Sequence, residues 1–178
     1  MSKQALEGLK VADFSWYIAG PSISMWLAHH GAQVIRIESL TRPDELRGIE
    51  PFKDGIPGIN RSGCYATYNS NKYGIALNLK HPKGVEVAKK IVAWADVAVE
   101  NFTPGTMERR WGLGYEGMRK IKPDIIMLST SGLGQTGPEA QQAGFGLELV
   151  SRGGFTHFVG WPDQEAVGVG YPYADTVT

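Results

Sequence analysis

Short apolar segments alternating with helix-patterned ones constrain this chain more than any other feature. Residues 9–15, LKVADFS, alternate apolar and polar and run into a Gly20-Pro21 break, which predicts a strand followed by a turn. Residues 22–30 carry Ile23, Met25, Trp26 and Leu27 between Pro21, suited to a helix start, and Gly31, suited to a C-terminal cap. AQVIRIE at 32–38 reads as the next strand and completes a βαβ unit. After a gap the pattern resumes with a strand at 75–79, IALNL, and a helix opened by Pro82, in which Val85, Ala88, Ile91, Val92 and Ala95 recur at helical spacing. A strand at 96–101, short helices at 104–111 and 115–120, and a strand at 124–129 follow. This order predicts an α/β fold, a Rossmann-like, largely parallel sheet with helices on both faces. Such sheets bind ligands at the carboxyl ends of their strands, so function is expected in the turns after Ser15, Glu38, Leu79, Asn101 and Ser129.

Two stretches interrupt the alternation. Residues 39–68 hold Pro43, Pro51 and Pro57 with four scattered glycines, which predicts an extended surface loop with a short helical turn near 44–47. Ten of the 23 glycines fall between Gly132 and Gly170, with one helix expected at 145–152. Loops that approach a ligand closely use glycine this way, as do ordinary turns.

At 178 residues and 42% hydrophobic content the chain can bury one substantial core. Eighteen basic residues balance eighteen acidic ones, which argues against a nucleic-acid partner while leaving room for a local anion site. A single cysteine, Cys64, excludes an internal disulfide and suits a reducing compartment. The start, MSKQALEG, has no apolar signal core, and no run of about 18 apolar residues could span a membrane, so a soluble, cytoplasmic protein without a membrane partner is expected.

Gly132, Gly134 and Gly137 form a GxGxxG string after a strand, but residues 138–143 are too short for the helix that would hold a pyrophosphate. The turn of the first βαβ unit has one glycine, which disfavours a nicotinamide cofactor and leaves a nucleotide possible against Tyr17 and Ile18. Lys72, Lys80, Arg109 and Arg110, near strand ends, are candidate phosphate partners. The four histidines show no metal-ligand spacing, so no metal is expected, and Cys64 has no neighbouring histidine to activate it. Asp175, flanked by Tyr173, Ala174 and Val177, reads as a nucleophile toward acyl groups, a general base or a helix N-cap, and local sequence alone favours the cap.

Taken in order, these segments resemble the family III CoA-transferases, the group that includes formyl-CoA and carnitine CoA-transferases. The resemblance rests on LKVADF at 9–14, AGP at 19–21, GAQVIRIE at 31–38, Asn71-Lys72, LNLK at 77–80, VENF at 99–102, Pro104-Gly105, SGLGQTGP at 131–138 and Ala174-Asp175. It implies that Asp175 is the catalytic nucleophile, attacking an acyl-CoA thioester to give an acyl-aspartyl anhydride before a carboxylic acid acceptor takes over the CoA. It further implies coenzyme A contacts from Ile18 and Ala19, from Leu77 and Lys80, from Asn101, Phe102 and Arg109, and from the turn Ser131, Gly132, Leu133 and Gly134. Where some members carry an arginine after the second strand's glutamate, this chain has Ser39, leaving Arg42 and Arg47 as substitutes; where some carry a glutamine, it has Ile18. Family members are longer, so residues 1–178 are expected to be the N-terminal part of the large CoA-binding domain, without the small domain, and inactive alone. The full-length protein is expected to form a homodimer. An acyl-CoA racemase of the same superfamily shares the aspartate but pairs it with a histidine after an Ala-Gly step. Here Phe145 follows Ala143-Gly144. A CoA- or nucleotide-binding module without catalysis is the remaining alternative.

Overall fold

The computed structural model describes residues 3–177; Met1, Ser2 and Thr178, at the ends of the expected segment, lie outside the described residues. Five strands, β1 (Lys10–Asp13), β2 (Gln33–Glu38), β3 (Tyr73–Ala76), β4 (Val97–Glu100) and β5 (Ile126–Ser129), form one sheet in the order β3-β2-β1-β4-β5. Every pair is parallel, as expected from the alternation with helices. The eight α-helices of the described residues are α1 (Ala19–His29), α2 (Gly63–Tyr68), α3 (Pro82–Trp94), α4 (Thr106–Trp111), α5 (Tyr115–Ile121), α6 (Gly146–Arg152), α7 (Phe155–Phe158) and α8 (Tyr173–Thr176).

The period-two pleat sends alternate strand residues to two apolar layers. Val11, Val34 and Val99 pack with Ala28 and Ala32 on the α1 side. Ala12, Ile37 and Ala98 pack with Phe14 and with Ala88, Ile91, Val92, Met107 and Met118 of α3, α4 and α5 on the other. Burying the Phe14 ring contributes about 2–3 kcal/mol.

Helix ends follow local chemistry. Pro82 opens α3 and the His81 ring accepts from the Lys83 N–H. Beyond α1, Gly31 turns at φ +106, and the Gly31 and Ala32 N–H groups close onto the carbonyls of Ala28 and Leu27.

The first three strands step in one direction and β4 and β5 lie on the other side of β1, so the order reverses between β1 and β4. The crevice at the carboxyl ends of these two strands is the favoured ligand position of an open parallel sheet. Two local expectations are corrected. The third strand is Tyr73–Ala76 rather than 75–79, because its pairing ends at Glu38↔Ala76 with the end of β2. The stretch expected as an extended loop contains α2, whose N-cap Ser62 accepts from the Tyr65 N–H at 3.1 Å. The short helical turn expected near 44–47 is present as a 3₁₀ turn, Glu45–Gly48, capped by Asp44.

Candidate functional site

The turn leaving β1 is held at every step. Asp13, with no exposed surface, accepts from the Ser15 N–H at 2.9 Å and from the Ser15 hydroxyl. The Arg36 guanidinium donates to the Ser15 carbonyl at 2.9 Å. Asn101, leaving β4, bridges the crevice: its Oδ1 accepts from the Trp16 N–H and its Nδ2 donates to the Trp16 carbonyl, both at 2.7 Å. The Tyr17 N–H donates to Asp44 at 3.2 Å, with Tyr17 in the left-handed region at φ +60. Ile18 and Ala19, both half-buried, then start α1 as its N-cap and first residue.

Beneath this turn lies a buried polar cluster of three carboxylates and three cations. Asp13 and Arg36 are register partners across β1 and β2, and Lys72 reaches Asp13 at 3.1 Å while also donating to the Pro21 carbonyl and the Asn69 side chain. Arg36 also pairs with Asp44, and Glu38 accepts from Arg47 and from the Tyr65 hydroxyl. Full charge pairing makes such burial tolerable, since an isolated buried charge costs far more. Burial pushes up on the Glu38 carboxyl, yet the bonds from Arg47, the Asp44 N–H and Tyr65 outweigh it and hold the group below its ordinary range. Burial pushes Lys72 down to about 8 against the pull of Asp13.

These pairings sort the candidate phosphate partners. Lys72 is sequestered under the sheet end, and Arg47 is committed to Glu38, Asn60 and the Ile59 carbonyl. Arg42 stays exposed at the rim, 5.2 Å over the Trp16 ring.

The remaining residues expected to contact coenzyme A also lie beyond strand ends. Phe102, half-buried, packs its ring between Trp16 at 6.4 Å and Trp111 at 5.9 Å. Arg109 on α4 is exposed, and its guanidinium donates to the Pro104 carbonyl. Leu77 follows β3 and packs on the α3 side of the sheet, whereas the nearby Lys80 is exposed. After β5 the chain turns through Ser131, Gly132, Leu133 and Gly134, closed by the Gly134 N–H on the Ser131 carbonyl at 3.2 Å. A side chain at Gly132 would meet Gly144 and Leu149, so this turn is seated on α6.

Asp175 lies in α8, which packs against both α6 and α1. It is the third residue of this four-residue helix rather than its N-cap, which is Pro172. Its carboxyl is half-buried, and burial raises it above the ordinary aspartate range despite a partial offset from its own N–H. A Cβ built on Gly146, the first residue of α6, would stand 1.8 Å from the Asp175 Oδ2. The preceding residue, Phe145, caps α6 and sets its ring edge-on against Tyr17 at 5.7 Å. Thus α6 links the turn before Ile18 and Ala19, the glycine turn and Asp175. Lys80 and Arg109 are exposed, and among the described residues neither hydrogen-bonds to α6.

Sequence reasoning named Tyr17 only as an apolar surface beside Ile18 and missed Asp13, Arg36, Asp44 and Gly146. One signal was present: Arg36 falls amid the apolar residues of AQVIRIE, where a buried strand would ordinarily carry an aliphatic side chain. Gly146 gave none, since its role depends on Asp175, far away in sequence.

Among the described residues, no three His, Cys, Asp or Glu side chains converge as a metal site, and no helix is long and apolar enough to cross a membrane.

The family model for CoA-transferase family III matches residues 6–178. The mouse (Mus musculus) succinyl-CoA:glutarate CoA-transferase is 38% identical over 178 residues, covering 99% of this chain and 39% of its own length. The succinyl-CoA–D-citramalate CoA-transferase of Chloroflexus aurantiacus is 34% identical, over 97% of this chain and 42% of its own length. Among solved structures, a CAIB/BAIF family protein from Brucella suis superposes with a TM-score of 0.88 at 33% identity, covering 98% of this chain and 46% of that one. The chain therefore spans about two fifths of the length of these curated relatives. With a family match over nearly its whole length, the chain belongs to CoA-transferase family III.

Proposed function

We propose that this chain carries the acyl-CoA site and the nucleophile of a CoA-transferase that works through a covalent aspartyl intermediate. The observation that carries this reading is Asp175: a half-buried carboxyl, raised by burial, seated where only a hydrogen fits at Gly146. A carboxylate stripped of part of its hydration attacks an acyl carbon more readily than an exposed one. Its oxygen adds to the thioester carbonyl, the C–S bond breaks, and the CoA thiolate leaves as the acyl-aspartyl anhydride forms. The thiolate then attacks the aspartyl carbonyl, freeing the donor acid and leaving CoA on Asp175. The acceptor carboxylate displaces that CoA as a second anhydride, and the thiolate attacks the acceptor's carbonyl to release the new acyl-CoA and regenerate Asp175.

Ile18, Ala19, Asn101, Phe102 and the glycine turn 131–134 fit as walls for the CoA thioester, since they follow the carboxyl ends of β1, β4 and β5. Leu77, Lys80 and Arg109 fit its outer rim. The relatives' names pair succinyl-CoA with glutarate or citramalate, so short dicarboxylates are the acceptor class and succinyl-CoA the donor. The racemase alternative needs a histidine opposite Asp175. Here His29 bonds Ser70, His30 the Trp26 carbonyl and His81 the Lys83 N–H, and His157 packs against Phe158.

The test incubates the protein with succinyl-CoA and hydroxylamine, alone and joined to the C-terminal portion that relatives possess. Peptide mass spectrometry should find a hydroxamate on Asp175, with exchange into glutarate only in the joined protein. Exchange that persists in Asp175→Ala would sink the reading.

A further inference from the structure

Tyr17 occupies a backbone conformation that favours glycine, at φ +60, and a bulky aromatic residue there is a genuine outlier. Strained backbone persists only where the surroundings over-determine it, and it gathers at functional sites. The surroundings here are specific. The Tyr17 N–H donates to Asp44 at 3.2 Å and its hydroxyl to Glu45, so both ends of the residue are tied to the loop after β2. The ring that these bonds orient meets Phe145 edge-on at 5.7 Å. Phe145 is the N-cap of α6, and the next residue, Gly146, is the one against which the Asp175 carboxyl rests. The chain of contact runs from the loop after β2 through Tyr17 to the start of α6 and on to Asp175.

We infer that Tyr17 is a positioning residue, whose ring fixes the start of α6 and thereby the seat of the Asp175 carboxyl. This deepens the transfer reading and rests on it for the role of Asp175, though the seating itself is measurable without turnover.

Glycine adopts φ +60 freely, so Tyr17→Gly removes the ring and hydroxyl while relieving the backbone. The folded state should survive with an equal or higher melting midpoint. The primary readout is the titration of the Asp175 carboxyl carbon by NMR. In Tyr17→Gly its midpoint should fall toward that of an exposed aspartate, and Tyr17→Phe, which keeps the ring on Phe145, should restore it. In the exchange assay, Tyr17→Gly should lower kcat about tenfold, since a displacement well under 1 Å is enough for that. Phe145→Ala should reproduce the Tyr17→Gly defect, and the double variant should be no worse than either single one.

An unmoved Asp175 midpoint in folded Tyr17→Gly would overturn the inference. So would a Tyr17→Phe variant as damaged as Tyr17→Gly, or additive losses in the double variant. A wild-type protein that titrates as expected but, joined to the C-terminal portion that relatives possess, exchanges no CoA would sink the transfer reading and leave the seating of Asp175 standing.

Discussion

Gly146→Ala separates folding from chemistry more cleanly than any other single change here. The added Cβ would stand 1.8 Å from the Asp175 Oδ2 and 2.9 Å from its Cγ. Ordinary contact needs about 3.5 Å, so the carboxylate must retreat by more than ~1 Å. The obstacle is the tip of a side chain rather than backbone, so the fold yields at little cost. Alanine is also a better helix former than glycine by up to about 1 kcal/mol, and the substitution falls at the first residue of α6. The melting midpoint should therefore stay or rise. Catalysis should not, because a misplacement of ~1 Å costs on the order of 100-fold, or about 2.7 kcal/mol of transition-state stabilisation. The assay, which takes the proposed transfer as given, is kcat/KM for CoA exchange between succinyl-CoA and glutarate by the protein joined to the C-terminal portion that relatives possess, with thermal unfolding of the same preparations. A Gly146→Ala protein with wild-type kcat/KM would refute the seating of Asp175 against α6. A large fall in melting midpoint would show that the backbone, not the carboxylate, absorbs the collision.

Other expectations follow from the same contacts. Asn101→Ala leaves the Trp16 N–H and carbonyl without their 2.7 Å partners and should cost about 1–3 kcal/mol in urea unfolding; an unchanged midpoint would mean that water replaces both bonds. Gly84→Ala, in the first turn of α3, brings a Cβ to 2.2 Å from the Asn78 carbonyl oxygen, so despite alanine's helix propensity it should destabilise by about 1–3 kcal/mol; stabilisation would refute the clash. Lys72 titrates near 8 when folded, chiefly through burial, against 10.5 ordinarily, so between these values the unfolded chain holds a proton that the folded one has released. Its contribution therefore makes stability rise with pH across that window, and Lys72→Met should flatten the rise in urea midpoints measured from pH 7.5 to 10.5; an identical slope in the variant would refute it.

The alternation of strands and helices was legible because burial on two faces writes itself locally, as in the spacing of Ala88, Ile91, Val92 and Ala95. Where pairing sets an element's limits, local pattern misleads. Ile75, Leu77 and Leu79 do alternate, and all three pack on one side of the sheet, but the ladder stops at Ala76 because its partner strand stops at Glu38. Helix α2 was hidden by its glycine and its shortness, although Ser62 carried the capping signal. Lys72 read as a candidate phosphate partner near a strand end, yet its side chain is buried, because its acceptors come from β1, from the Pro21 carbonyl and from Asn69.

What the sequence alone determined is the class of fold, the strand ends as the place for ligands and Asp175 as a candidate carboxylate, since each rests on short-range pattern or on an ordered set of short motifs. What only the tertiary structure decided is which groups are buried in ion pairs and which stay exposed. Arg42 stands at the rim while Lys72 and Arg47 are spent on internal ion pairs, and Asp175 is set against Gly146 rather than capping a helix. Those outcomes depend on partners from nine to 59 residues apart in sequence, brought together only when the sheet closes, and no local pattern encodes them.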